Sequence, residues 1–71
     1  VRLKANDARA LEDILDRYNL STVILELSWI GVIKAQHIRD NWNDENLARA
    51  WDKASAAVEK CALSDRVTNV P

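Results

Sequence analysis

Residues 22–42 read TVILELSWIGVIKAQHIRDNW, and the interpretation of this stretch decides the fold. At about 100° per residue its apolar positions fall into two stripes rather than one. Val23, Leu27, Ile30 and Ile38 share one side, with Ile24 and Trp42 at its edge. Leu25, Trp29, Val32 and Ile33 take nearly the opposite side, which Gln36 and Asp40 continue in polar form. Between the stripes run Ser28, Gly31 and Ala35, a line of small side chains that lets a neighbouring backbone come close. A strand is disfavoured, because alternation fails across Leu25-Glu26-Leu27-Ser28-Trp29-Ile30 and no hairpin turn signal lies nearby. Gly31 costs a helix interior about 1 kcal/mol relative to Ala, which weakens the helix without reversing the assignment. A helix that is apolar on both sides is expected to be buried on both sides.

Working outward, the spacing predicts helices over 7–18, 22–42 and 45–63, with a polar tail over 64–71. In the first, Ala8, Leu11, Ile14, Leu15 and Tyr18 recur at helical intervals, and Asn6 or Asp7 is placed to cap it. Asn19 can take the left-handed conformation that ends helices. Ser21 is a candidate cap for the second helix, with Leu20 and Leu25 as a hydrophobic staple. The short connection makes the first two helices an antiparallel hairpin. Asn41-Trp42-Asn43-Asp44 supplies the next turn, and Asp44 or Asn43 caps the third helix. There, Leu47, Trp51, Ala54, Val58 and Cys61 follow a 4-3-4-3 pattern, a single seam at heptad spacing. Trp42 and Trp51 are expected to pack together at the bundle end.

These elements predict one all-α domain, a three-helix antiparallel bundle with a long central helix. The expected core is Leu11, Leu15, Tyr18, Val23, Leu27, Ile30, Ile38, Trp42, Leu47, Trp51, Ala54, Val58 and Cys61. It leaves the stripe of Leu25, Trp29, Val32 and Ile33, with Gln36 beside it, as an interface. Burying four such side chains is worth roughly 6–12 kcal/mol per chain, against about 4–15 kcal/mol lost on association. The bundle is therefore expected to be completed by dimerisation, twofold pairs being the commonest oligomers.

Composition narrows the function. With 71 residues the chain is a single domain too small to bury much of its surface. Cys61 is the only cysteine, so no internal disulfide staples it, and a lone thiol fits a reducing, cytoplasmic setting. A formal net charge of −1 argues against a generic nucleic-acid binder. No stretch is long and apolar enough to predict a membrane span, and the start carries no signal-peptide pattern.

Candidate chemistry is sparse. His37 is the sole histidine, and with Asn41 or Asp40 it offers at most two ligands where zinc needs three or four. A surface imidazole, or one bonded to Asn41, is the simpler expectation. Carboxylate pairs such as Asp13 and Asp16 sit at plain helical spacings, the serines lie in no nucleophile elbow, and there is no glycine-rich phosphate loop. No catalytic residue, metal or cofactor is predicted.

The run Lys34-Ala35-Gln36-His37-Ile38-Arg39-Asp40-Asn41-Trp42-Asn43-Asp44, followed by Leu47-Ala48 and Trp51, resembles a pattern in short uncharacterised helical proteins of cyanobacteria and cyanophages. The opening at Leu20 to Ile24 is similar as well, so the likeness spans Leu20 to Ala62. It implies a cytoplasmic helical protein and brings no activity or site residues with it. Trp29, Val32 and Ile33 stand where that group looks more polar.

The expected function is a small protein–protein interaction module that self-associates through the second stripe, with a second protein as a further possible partner. One alternative is a small nucleic-acid-associated regulator, acting as a dimer through Lys34, Arg39 and Arg49. Another is a binder of lipid or apolar small molecules.

Overall fold

The computed structural model describes residues 1–71 and contains four helices and no strand. They are α1 (Ala5–Arg17), α2 (Leu20–Trp42), α3 (Glu45–Ala62) and α4 (Asp65–Thr68). The fold is all-α, as the periodicity requires.

Local chemistry sets the boundaries. Helix α1 begins after Lys4, which makes no side-chain cap, so the expected cap at Asn6 or Asp7 lies inside the helix instead. Asp7 in the first turn and Arg17 in the last both oppose the helix dipole. Tyr18 ends α1 in an extended conformation. Asn19 is also extended (φ −85°) rather than left-handed, and its side-chain oxygen accepts from the Thr22 N–H at 2.8 Å. Asn19, not Ser21, therefore caps α2, and the Ser21 hydroxyl donates to the same oxygen at 3.1 Å. The left-handed residue is Asn43 (φ 50°, ψ 34°), which stops α2. Asp44 then caps α3, accepting from the Leu47 N–H at 3.0 Å. The tail expected over 64–71 is not wholly irregular: Asp65–Thr68 forms the turn-length α4, which packs against both α2 and α3.

The two long helices form an antiparallel hairpin whose seam is built from small residues. Only six residues are buried: Ser28, Gly31 and Ala35 on α2, and Ala48, Ser55 and Ala62 on α3. A Cβ added to Gly31 would stand 3.2 Å from the Ser55 Cβ and collide with the Ser55 hydroxyl. The Trp51 ring edge would lie 3.7 Å from the same point, so any side chain here must push Ser55 aside. The Ser28 hydroxyl is satisfied by the Leu25 carbonyl at 2.6 Å, whereas the buried Ser55 Oγ has no partner. Close approach of two backbones supplies many short dispersion contacts.

This seam displaces the expected core. The α3 residues facing α2 are Ala48, Ser55 and Ala62, and the heptad series beginning at Leu47 lies on the adjoining flank. Leu47, Trp51, Ala54 and Cys61 are exposed and Val58 is half-buried. On α2, Val23 and Ile38 are half-buried, while Leu27, Ile30 and Trp42 are exposed. Leu11 and Leu15 on α1 are exposed, as is Tyr18 just past its end. The three-helix packing does not close within the chain, because α1 meets α2 at a few points and never touches α3. The radius of gyration is 14.0 Å, against about 11 Å for a compact domain of this length.

Candidate interaction surfaces

Three surfaces carry the side chains that could act. The first is the outward stripe of α2. Trp29, Val32 and Ile33 are 53, 52 and 66% exposed. They project from a single rigid helix, so they form one patch without any loop to position them. Gln36 is exposed beside them and donates to Asp40 Oδ1 at 2.9 Å. Leu25, the fourth apolar member of the stripe, is half-buried and shares a shallow pocket with Ala62, Leu63 and Thr68 at α4.

The second surface lies on the other flank of the hairpin. Leu11 and Ile14 of α1, Tyr18 at its end, and Val23, Leu27 and Ile30 of α2 line an open groove of about 400 Å³. Helical spacing puts Lys34 on the same flank of α2 as Leu27 and Ile30. The Lys34 Nζ sits 5.8 Å from the centroid of the Trp51 ring, within cation–π range. The exposed series on α3 therefore continues the face begun by α1 and α2.

The third feature is a charged clasp where α2 turns into α3. Arg39 Nε and Nη2 donate to the two carboxylate oxygens of Glu45 at 2.9 and 3.1 Å. Nη2 also donates to Asp52 Oδ2 at 2.7 Å. Arg49 approaches Glu45 from the next turn at 3.6 Å. These contacts raise the Arg39 guanidinium above its already high ordinary range, with the Glu45 hydrogen bond as the main cause and Asp52 next. The Arg39 hydrogen bond in turn holds the Glu45 carboxyl below its ordinary range.

A carboxylate depressed in the folded chain contributes stability above its ordinary pKa and loses it as pH falls through the folded value. The difference in unfolding midpoint between wild type and Glu45→Gln should thus be constant at neutral pH and shrink on acidification through the carboxylate range. Thermal unfolding followed by circular dichroism from pH 7 to pH 2 checks this. A pH-independent difference would remove the clasp from the account.

Lys34, Arg39 and Arg49, the groups considered for nucleic acid, are thus each engaged within the chain. His37 is exposed, with Asn41 Nδ2 3.1 Å from its Nδ1 and donating to its carbonyl at 3.0 Å. No group of three or more His, Cys, Asp or Glu side chains converges. Trp42 is 73% exposed at the hairpin tip, so the two tryptophans flanking the turn differ: Trp51 lies against Gly31 and Trp42 projects.

The α1–α2 groove was hidden from sequence reasoning, which had the two helices as an antiparallel hairpin with Leu11, Tyr18, Val23, Leu27 and Ile30 in a closed core. The one available signal was that α1 is short and ends where α2 begins, leaving it a single short hinge. No helix is long and apolar enough to cross a membrane. No protein-family profile matches the sequence, and comparison with characterised proteins and with solved structures gave no significant match.

Proposed function

We propose that this chain is a small helical interaction module that self-associates through the outward stripe of its central helix and has no catalytic activity of its own. One observation carries the proposal. The chain exposes 5996 Å², whereas a compact monomer of 8.0 kDa exposes about 4,450 Å². The excess of about 1,500 Å² per chain is more than the about 800 Å² per partner that a stable interface covers. Trp29 stands at the centre of the stripe and is the residue type most often found as an interface anchor. Val32 and Ile33 extend the patch without an intervening charge.

The partner chosen is a second copy, because closed twofold pairs are the commonest assemblies. Against a nucleic-acid partner stands the engagement of Lys34, Arg39 and Arg49 with acidic or aromatic neighbours. An accessible thiol at Cys61 fits a reducing compartment, so the cytoplasm is the proposed location. The proposal also sets the chain beside the short cyanobacterial and cyanophage proteins it resembles.

Static light scattering on wild type and Trp29→Asp tests the proposal. Wild type should run at a multiple of 8.0 kDa, and Trp29→Asp at a smaller multiple. Equal masses for the two would take the stripe out of the interface.

A further inference from the structure

We infer that the chain has a second self-association face, the outer flank of α3, which docks antiparallel against the same flank of another copy about a twofold axis at Ala54. This rests on the self-association proposed above and adds a separate surface and register. The first argument is area. One interface of standard size uses about 800 Å² per partner, which leaves roughly half of the excess surface estimated above uncovered. A second face on the same chain covers part of that remainder.

The second argument is the face itself. From Leu47 to Cys61 the outer flank of α3 carries no charged side chain of its own, since Arg49, Asp52, Lys53, Glu59 and Lys60 all lie elsewhere on the helix, and the one cation that reaches it is Lys34 of α2, 5.8 Å from the Trp51 ring centroid. Leu47 and Trp51 are exposed apolar residues on it, and Ala50, Ala54, Ala57 and Cys61 are exposed small ones. A solvated helix face seldom lacks charge along its full length.

The third argument is self-complementarity, which a twofold interface demands. An antiparallel copy centred on Ala54 pairs positions equally distant from that residue. Leu47 then meets Cys61 of the second copy, Trp51 meets Ala57, Ala50 meets Val58, and Ala54 meets itself. Every bulky side chain falls against a small one, the alternation that close helix packing needs. The hairpin seam within one chain is built on the same small-residue plan, with Ala48, Ser55 and Ala62 admitting α2. Two self-complementary faces on one chain make assemblies larger than a dimer.

The register can be read by cross-linking. Positions 47 and 61 are about 21 Å apart along one helix at 1.5 Å per residue, so a disulfide between them must join two chains. In the full-length protein, Leu47→Cys treated with oxidised glutathione should give a covalent species of twice 8.0 kDa. Thiols held together react at about millimolar effective concentration, so at micromolar protein the rate of bond formation should exceed that of free collision by about 1,000-fold. The bond should persist in Leu47→Cys/Trp29→Asp and disappear in Leu47→Cys/Cys61→Ala. Wild type should stay uncross-linked, since its two Cys61 residues lie far from each other in this register.

Cross-linking of wild type as readily as Leu47→Cys would overturn the antiparallel register. An uncross-linked Leu47→Cys whose mass by light scattering still exceeds one chain would overturn the second face and leave the α2 stripe standing. An uncross-linked Leu47→Cys and a wild type that weighs one chain would remove both.

Discussion

Gly31→Leu should abolish the hairpin. Its side chain would have to enter the space held by Ser55 and the edge of Trp51, where even a Cβ is too close. Overpacking a rigid contact costs about 1–3 kcal/mol for smaller insertions and more for larger ones. A chain of this size has a total stability of only about 4–10 kcal/mol. Urea unfolding followed by far-UV circular dichroism should therefore find Gly31→Leu largely unfolded without denaturant. Gly31→Ala should be milder, because removing glycine from a helix returns about 1 kcal/mol. Ser55→Ala by itself should be neutral or stabilising, since the Ser55 hydroxyl is buried without a partner. Adding Ser55→Ala to Gly31→Ala removes the nearer of the two clashes, so the pair should couple favourably by about 0.5–3 kcal/mol. A stable, fully helical Gly31→Leu would show that the two long helices do not meet at this point.

That seam also marks the boundary of what the sequence discloses. The line of Ser28, Gly31 and Ala35 was legible as a place for close approach, and Asp44 as a helix cap, because spacing and residue type suffice for both. The matching line on α3 was obscured. Ala48, Ser55 and Ala62 look like helix-favouring fillers, while Leu47, Trp51 and Val58 draw the eye as a core. Hydrophobicity ranks residues by what each would gain from burial. It does not report that two backbones lined by small residues can approach each other so closely that the larger residues are left at the edges. The stance of α1 was invisible for a related reason. Its apolar spacing predicts a buried face, but the short link at Tyr18 and Asn19, extended rather than left-handed, directs α1 away from α3 and leaves that face open. Of the candidate interface, Trp29, Val32 and Ile33 were legible as a stripe. The partial cover of Leu25 was not, since α4 is a single turn with no periodicity to reveal it.

Disabling both apolar faces together should unfold the chain. In Trp29→Asp/Ala54→Asp each face receives a charge that would have to be buried unpaired on association, a penalty of several kcal/mol per ion. The isolated protomer would then depend on its own burial. An unfolded chain of 8.0 kDa exposes about 11,600 Å², so folding to 5996 Å² hides a little under half of it. Domains of about 60 residues that fold alone hide about 60%. Both substitutions lie at exposed positions, so neither disturbs the seam directly. The account expects each single variant to remain helical and the double variant to lose most of its far-UV signal at 25 °C. A double variant as helical and as resistant to urea as wild type would mean that the hairpin stands without partners.

The central claim, that one copy of this chain is too open to be stable alone, is tested most directly by the concentration dependence of thermal unfolding. For a folded dimer each tenfold dilution removes about 1.4 kcal/mol, which for two chains of this length lowers the midpoint by about 5 °C. A midpoint that falls in this way on serial dilution of the wild type is the predicted result. A midpoint that does not move, in a protein weighing 8.0 kDa at every concentration, would contradict the account.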